Sequence, residues 1–362
     1  MRKAIIITLY GNENYGNKLQ NYALQEYVRN KNVIVNTLTT PFAPYNDERE
    51  IIIIKIKKIM KSIIKSICCD NKEKSKITKM RLFSENELYL FNYKKSTDGN
   101  LEKNADFFIY GSDQIWNPNS SPFYNIRLGL FAPKEKNAAY APSFSVELID
   151  DKYQSIYKKA LNNMKFLSSR EKKGKEIIKC LSGVESEIVL DPVFLLTKDE
   201  WNKRIDKRKI NHNKYIFVYY LGGIDKKTEK LLSVFSKSNN YQIINILNKK
   251  DKAYVSDPFD FVNYIKNAEY VFTDSFHAVA FSIIYNKNFY VMNRLNSSNM
   301  ISRINNILSI CKLEERLIDT NNFNKEEISA INYLNVNKFI NNEIRKSKGY
   351  LNNVLNYYKN NK

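Results

Sequence analysis

The chain has 362 residues, of which 43% are hydrophobic, 27% charged and 13% aromatic, with only 10 Gly and 8 Pro. That composition excludes a disordered, collagen-like or low-complexity chain and suggests about two domains. Lys and Arg number 58 against 38 Asp and Glu, a net charge of +20 that favours anionic partners.

Taken in chain order, short apolar runs alternate with amphipathic stretches. KAIIITL (3–9) reads as a first strand, because its apolar stretch is too short for a signal peptide. No run approaches the roughly 18 apolar residues of a membrane span, so a cytoplasmic protein is expected. A helix follows near 18–30, then a strand VIVNTL (33–38). From Arg49 to Arg81 come eleven basic and three acidic residues, a surplus of +8. Within it, residues 51–67 form an amphipathic pattern, with Ile52, Ile56, Ile59, Met60, Ile63, Ile64 and Ile67 on one face. Lys57, Lys58, Lys61 and Lys65 lie opposite. Such a helix suits an anionic membrane surface, and equally a core helix with a solvated lysine face. DFFIYGS (106–112), NAAYAPS (137–143), KFLSSRE (165–171) and SEIVLDP (186–192) read as strands, with helices near 150–163 and 172–181. The polar stretch 195–213 reads as a boundary. Beyond it KYIFVYYLGG (214–223), YQIINIL (241–247), AEYVFTDS (268–275) and NFYVMNR (288–294) repeat the strand–helix alternation, and Asp257-Pro258 starts a helix.

Strand–helix alternation implies parallel sheets covered on both faces. The expected architecture is α/β, with two Rossmann-like domains facing a central cleft: 1–200, carrying a basic helical insertion at about 42–104, and 213–332. Residues 333–362 are expected to form a helix that returns to the first domain. In such sheets ligands sit at the carboxyl ends of the strands.

Four strand ends carry chemistry. After the first strand, YGNENYGNKLQ (10–20) offers two glycines for a loop with positive φ and the amides Asn14, Asn17 and Gln20. Its spacing fits neither standard nucleotide loop, so a ligand loop and an ordinary strand–helix turn both remain open. YGSDQIWNP (110–118) brings Ser112 and Asp113 to a second end, as ligand groups or as a capped helix start with a packed Trp116. SSRE (168–171) brings Arg170, either a bidentate clamp on phosphate or carboxylate or a structural partner of a carboxylate such as Asp191. TDSFHAVAFSII (273–284) puts His277 at a helix N-terminus. The other histidine, His212, lies in the polar boundary, so His277 is the main candidate for proton transfer near neutrality. Neither His277 nor Arg170 is expected to fill the core. The cysteines (Cys68, Cys69, Cys180, Cys311) have no metal-ligand spacing with the histidines, and no metal is expected.

Together GNENYGNKLQNYALQ, YGSDQIWNP, YAPSF (140–144), SSREKKG (168–174), VLDPVFLL (189–196), FVNYIKNAEYVFTDSFHAVAFSII (261–284) and SRINNIL (302–308) resemble the polysaccharide pyruvyl transferase family. The resemblance is collinear from the first strand to the tail and leaves out mainly residues 42–104. It implies a glycosyltransferase-B type arrangement and transfer of pyruvate from phosphoenolpyruvate to sugar hydroxyls as a ketal, in cell-surface polysaccharide assembly. By resemblance His277 is the general acid and Arg170 a donor-anion ligand. The chain departs from the pattern at Ser275, where some characterised members carry Arg; Arg294, Arg303 or a lysine would compensate.

The expected donor site is therefore Arg170, Ser275, Phe276, Gly222, Gly223 and Arg294. The acceptor site is Asn14, Gly16, Asn17, Gln20, Ser112 and Asp113. Phosphoenolpyruvate is a co-substrate, and no further cofactor is called for. The acceptor is a lipid-linked or free saccharide, and residues 49–81 would dock the protein on the inner face of the cytoplasmic membrane. The competing expectation is a nucleotide-sugar-dependent glycosyltransferase of the same architecture. Nucleic acid is not an expected partner, because the charge is largely lysine in one helical segment with no aromatic–basic recognition module.

Overall fold

A computed structural model describes residues 1–10, 14–39, 70–93, 100–119, 125–208, 213–292, 301–319 and 329–360. The helix expected at 51–67 lies outside these residues. The chain divides into two units, Met1–Pro192 with Ser347–Lys362, and Val193–Lys346.

In the first unit β1 (Arg2–Ile7) is followed by α1 (Tyr15–Arg29), β2 (Val33–Leu38), α2 (Asn71–Glu87), β3 (Leu90–Phe91), β4 (Phe107–Tyr110) and β5 (Asn137–Ala139). After these come α3 (Asp151–Asn162), β6 (Ser168–Ser169), α4 (Lys172–Ser182) and β7 (Glu187–Ile188). The main sheet is parallel, in the order β3-β2-β1-β4-β5. Ala4, Ile5, Ile6 and Ile7 are all buried, which is why β1 reads as an unbroken apolar run: a central parallel strand is covered on both faces. The strands expected at 165–171 and 186–192 shrink to two residues each. They pair with one another in a separate two-stranded sheet, tied to β5 by a single bridge between Ala138 and Phe166.

Helix α2 is capped by Asp70, whose side chain accepts from Glu73 N at 2.8 Å. It buries Lys76, Met80, Phe83 and Ser84, one face at helical spacing, and Phe83 meets Tyr22 of α1 edge-on at 6.4 Å.

The second unit opens with α5 (Lys198–Ile205), then β8 (Tyr215–Tyr219), α6 (Lys226–Asn239), β9 (Gln242–Asn245), α7 (Pro258–Asn267), β10 (Tyr270–Thr273) and α8 (Phe276–Ile284). It continues with β11 (Asn288–Met292), α9 (Ile301–Cys311) and β12 (Leu317–Ile318). Its sheet is again parallel, in the order β12-β11-β10-β8-β9. Residues 195–213 read as a polar boundary, yet they contain α5. Thr197 and Glu200 form a capping box, and Trp201 and Ile205 are fully buried. The sequence signal was present as Thr-x-x-Glu, masked by the charged exposed face of the same helix.

The long α10 (Tyr333–Asn360) is shared between the units, which divide it after Lys346. In the second unit Tyr333 Oη donates to the carbonyls of Lys287 at 2.5 Å and Ser282 at 3.2 Å. In the first, Leu190 N donates to Ser347 Oγ, Tyr350 Oη donates to Ala139 O, and Tyr358 stacks on Phe107 at 4.1 Å. The protein is thus α/β, with two Rossmann-like domains built on parallel sheets. No helix among the described residues is long and apolar enough to cross a membrane.

Candidate functional site

The carboxyl ends of β1, β4, β5, β6 and β7 bring together most of the polar residues singled out in the first half of the sequence. Asn14 caps α1, its side chain accepting from Asn17 N at 3.3 Å. Gly16, expected in a loop with positive φ, is instead helical and buried in the first turn. Gln20 is fully buried: its amide nitrogen donates to Thr8 Oγ1 and Asn17 O, both at 3.0 Å, and its oxygen accepts from Ser112 N at 3.2 Å. It stitches α1 to the end of β4 rather than facing solvent. Ser112 is equally buried, its hydroxyl donating to Ala141 O at 3.0 Å. This closeness depends on Gly111, where a Cβ would lie 1.8 Å from Tyr140 O. Trp116 is packed, 1% exposed, with its ring nitrogen donating to Arg127 O.

Asp113 differs from these neighbours. It sits in the left-handed region at φ 60°, which Asp tolerates better than most residues, and its side chain keeps 13% exposure. One carboxylate oxygen accepts from Asn17 Nδ2 at 3.5 Å and the other faces Arg170 at 3.4 Å.

Arg170, expected to stay out of the core, is only 3% exposed, and its guanidinium forms a buried ion pair with Asp191 and a second one with Asp113. Burial by itself would lower its pKa; the charges of Asp191, Asp113 and Glu171 more than offset that and raise it. The structural pairing with Asp191 is the one that forms. Sequence reasoning gave no role to Glu171, Ser143 or Thr8. Glu171, 3% exposed, accepts from Ser143 Oγ at 2.7 Å, and Ser143 Oγ lies 3.1 Å from Ser145 Oγ. Glu171 and Ser143 stand inside the SSRE and YAPSF segments, so adjacency to the singled-out residues was the available signal.

In the second unit the site forms at the end of β10. Thr273 Oγ1 donates to Tyr219 O at 2.6 Å and accepts from Ser275 N at 3.0 Å, locking the turn into α8. Ser275 is the N-cap of α8 but makes no side-chain cap bond, and the first turn carries no acid. The acid nearest that helix end is Asp274, which directly precedes the N-cap. Ser275, Phe276 and His277 are 4%, 7% and 6% exposed, and the Phe276 and His277 rings meet edge-to-face at 5.3 Å. His277 is thus more buried than expected.

The Gly222-Gly223 loop was expected to present amides to a donor anion. Those amides are already engaged: Asp274 accepts from Leu221 N at 2.7 Å and Gly222 N at 2.8 Å, and Gly223 N donates to Tyr220 O at 3.4 Å. Here Asp274 clamps the loop after β8 to the turn before α8. Tyr220 beside it is 5% exposed; burial, then the charges of Asp274 and Asp225, push its phenol well above the usual range. Arg294 lies outside the described residues, and Arg303 is 5% exposed on α9. Among the described residues no three His, Cys, Asp or Glu side chains are arranged to hold a metal ion.

No curated protein matches the sequence. Solved structures similar to the chain include a UDP-GlcNAc 2-epimerase from Methanocaldococcus jannaschii, at 12% identity over 99% of this chain and 100% of that one, with a TM-score of 0.49. A UDP-GlcNAc 2-epimerase from Neisseria meningitidis bound to UDP-GlcNAc is 10% identical over 96% and 93% of the two chains, with a TM-score of 0.43. A glycosyltransferase from Rickettsia africae is 10% identical over the full length of both, with a TM-score of 0.45. The model of the polysaccharide pyruvyl transferase family matches residues 14–296, a span that runs from the Asn14 cap past His277. The chain belongs to the polysaccharide pyruvyl transferase family.

Proposed function

We propose that this transferase moves pyruvate from phosphoenolpyruvate to two hydroxyls of a saccharide, forming a cyclic ketal during cell-surface polysaccharide biosynthesis. The observation that carries the reading is His277, in the first turn of α8 beside the uncapped Ser275 at the end of β10. In this scheme the protonated imidazole delivers its proton to the methylene carbon of the donor. Positive charge develops at C2, a sugar hydroxyl attacks there, and the C2–O bond to phosphate breaks. The second hydroxyl then closes the ring. Of the two hydroxyl protons, one ends in the new methyl group by way of the histidine and the other leaves with inorganic phosphate. The N-terminal end of α8, with the amides of Phe276 and His277, suits the donor's anionic groups. Arg294, close in sequence to the end of β11, is the cation that would stand in for the arginine replaced by Ser275. Hydroxyl-rich acceptors would belong to the first unit, at Asn14, Asn17 and Asp113.

The test is phosphate release from phosphoenolpyruvate across a panel of lipid-linked and free saccharides, with product mass measured in parallel. A product heavier than the acceptor by pyruvate less one water supports the reading. Release of a nucleotide from a nucleotide-sugar, with no phosphate from phosphoenolpyruvate, overturns it in favour of a glycosyltransferase. Turnover is expected to survive EDTA; strong loss restored by Mg2+ or Mn2+ would point the same way.

A further inference from the structure

The SSRE arginine is the feature that the donor chemistry above leaves unused. Its guanidinium is enclosed on one side by Asp191, whose side chain is fully buried, and on the other by Asp113, with the charge of Glu171 also acting on it. One guanidinium therefore pairs with two carboxylates and feels the charge of a third. An incoming phosphate or carboxylate would have to displace these partners and approach net negative charge. Other cations near in sequence are placed elsewhere: Lys18 lies over the Tyr10 ring at 4.6 Å, and Lys173 pairs with Glu147 and Glu176.

We infer that Arg170 and Asp191 form a positioning pair that orients Asp113, and that Asp113 is the group that receives an uncharged hydroxyl of the acceptor. Three observations carry this. Asp113 is the exposed member of the set, at 13% against none for the Asp191 side chain and 3% for Glu171. Its backbone is fixed where β4 ends, the left-handed residue accepting Ser143 N on its carbonyl at 2.8 Å. Its two oxygens are held from opposite sides, by Asn17 at the start of α1 and by Arg170 after β6. A carboxylate so held is an acceptor of O–H groups. A planar guanidinium can bridge two carboxylates at once, which an ammonium does less well. The inference rests on the proposed saccharide acceptor but not on the donor.

Equilibrium titration separates the two. Methyl β-galactopyranoside, methyl β-glucopyranoside and an N-acetylmannosaminide are titrated into the parent, Asp113→Asn and Arg170→Lys, and phosphoenolpyruvate is titrated separately. In both variants the Kd for the bound hexoside is expected to rise about tenfold, the size of one lost charged hydrogen bond. The Kd for phosphoenolpyruvate should stay within about twofold, since donor and acceptor are held by different groups. Because Asp113→Asn is nearly isosteric, it reports even if Arg170→Lys fails to fold. Unchanged hexoside affinity in Asp113→Asn overturns the inference, as does a parent that binds none of the hexosides. A rise in the phosphoenolpyruvate Kd of Arg170→Lys with hexoside affinity intact would return Arg170 to the donor. A parent that binds hexoside but not phosphoenolpyruvate would remove the proposed donor and leave the positioning pair standing.

Discussion

Replacing His277 by Gln separates chemistry from packing, because the two effects differ in size. The side chain is 6% exposed and meets Phe276 edge-to-face at 5.3 Å. Gln keeps a polar group of similar length, so the packing loss is about that of one aromatic contact, roughly 0.5–1.5 kcal/mol. For a unit of this size that lowers the melting midpoint by only a few degrees, at about 2–4 °C per kcal/mol. Loss of a general acid, by contrast, costs about 10²–10⁴-fold in rate, or roughly 3–5 kcal/mol of barrier. Phosphate release with a saturating acceptor gives the rate, and a thermal scan gives the fold. Turnover should drop by at least about a hundredfold while the midpoint moves little. A folded His277→Gln protein that keeps near-parental turnover would show that the histidine only packs, and the proposed mechanism would fall with it.

Three further outcomes follow from geometry and charge. Replacing Asp191 by Leu removes one partner of an ion pair whose side chains are 2% and 0% exposed, and should destabilise the first unit by about 3–5 kcal/mol in urea. Adding Arg170→Met should recover part of that loss; strict additivity of the two changes would refute a coupled pair. Gly174→Ala, whose Cβ would lie 2.0 Å from Ser169 Oγ, should cost about 1–3 kcal/mol. Gly349→Ala, with nothing within 4 Å in the interior of α10, should be neutral or gain up to about 1 kcal/mol. The reverse order would contradict the close approach of Gly174 to Ser169. Finally, if the +8 segment 49–81 docks on an anionic bilayer, changing Lys57, Lys58, Lys61 and Lys65 to Gln should reduce co-sedimentation with anionic vesicles. The parent's binding should itself weaken as salt shortens the screening length below about 8 Å. Unaltered sedimentation of the quadruple variant would rule this surface out.

The sequence by itself determined the α/β class, the family and the position of each polar motif. Both sheets are parallel and covered, so their strands appear as uninterrupted apolar runs such as residues 4–7 and 215–219, and each run ends where the polar residues begin. Pairing was not written in the runs. Whether 165–171 and 186–192 extend the main sheet or form a two-residue sheet of their own depends on which neighbours have edges left to bond. Helix α5 was hidden because only Trp201 and Ile205 of its eight residues are buried, too few to give a periodic signal. Partners across the fold were likewise invisible. Arg170 lies 21 residues from Asp191 and 57 from Asp113, and its spacing suits an anion clamp as well as a structural pair. Burial decides: a guanidinium withdrawn from water must be neutralised by groups that fold in with it, and only the tertiary structure says which carboxylates arrive. The same holds for the Gly222-Gly223 loop, open in sequence but closed by Asp274 from the neighbouring strand.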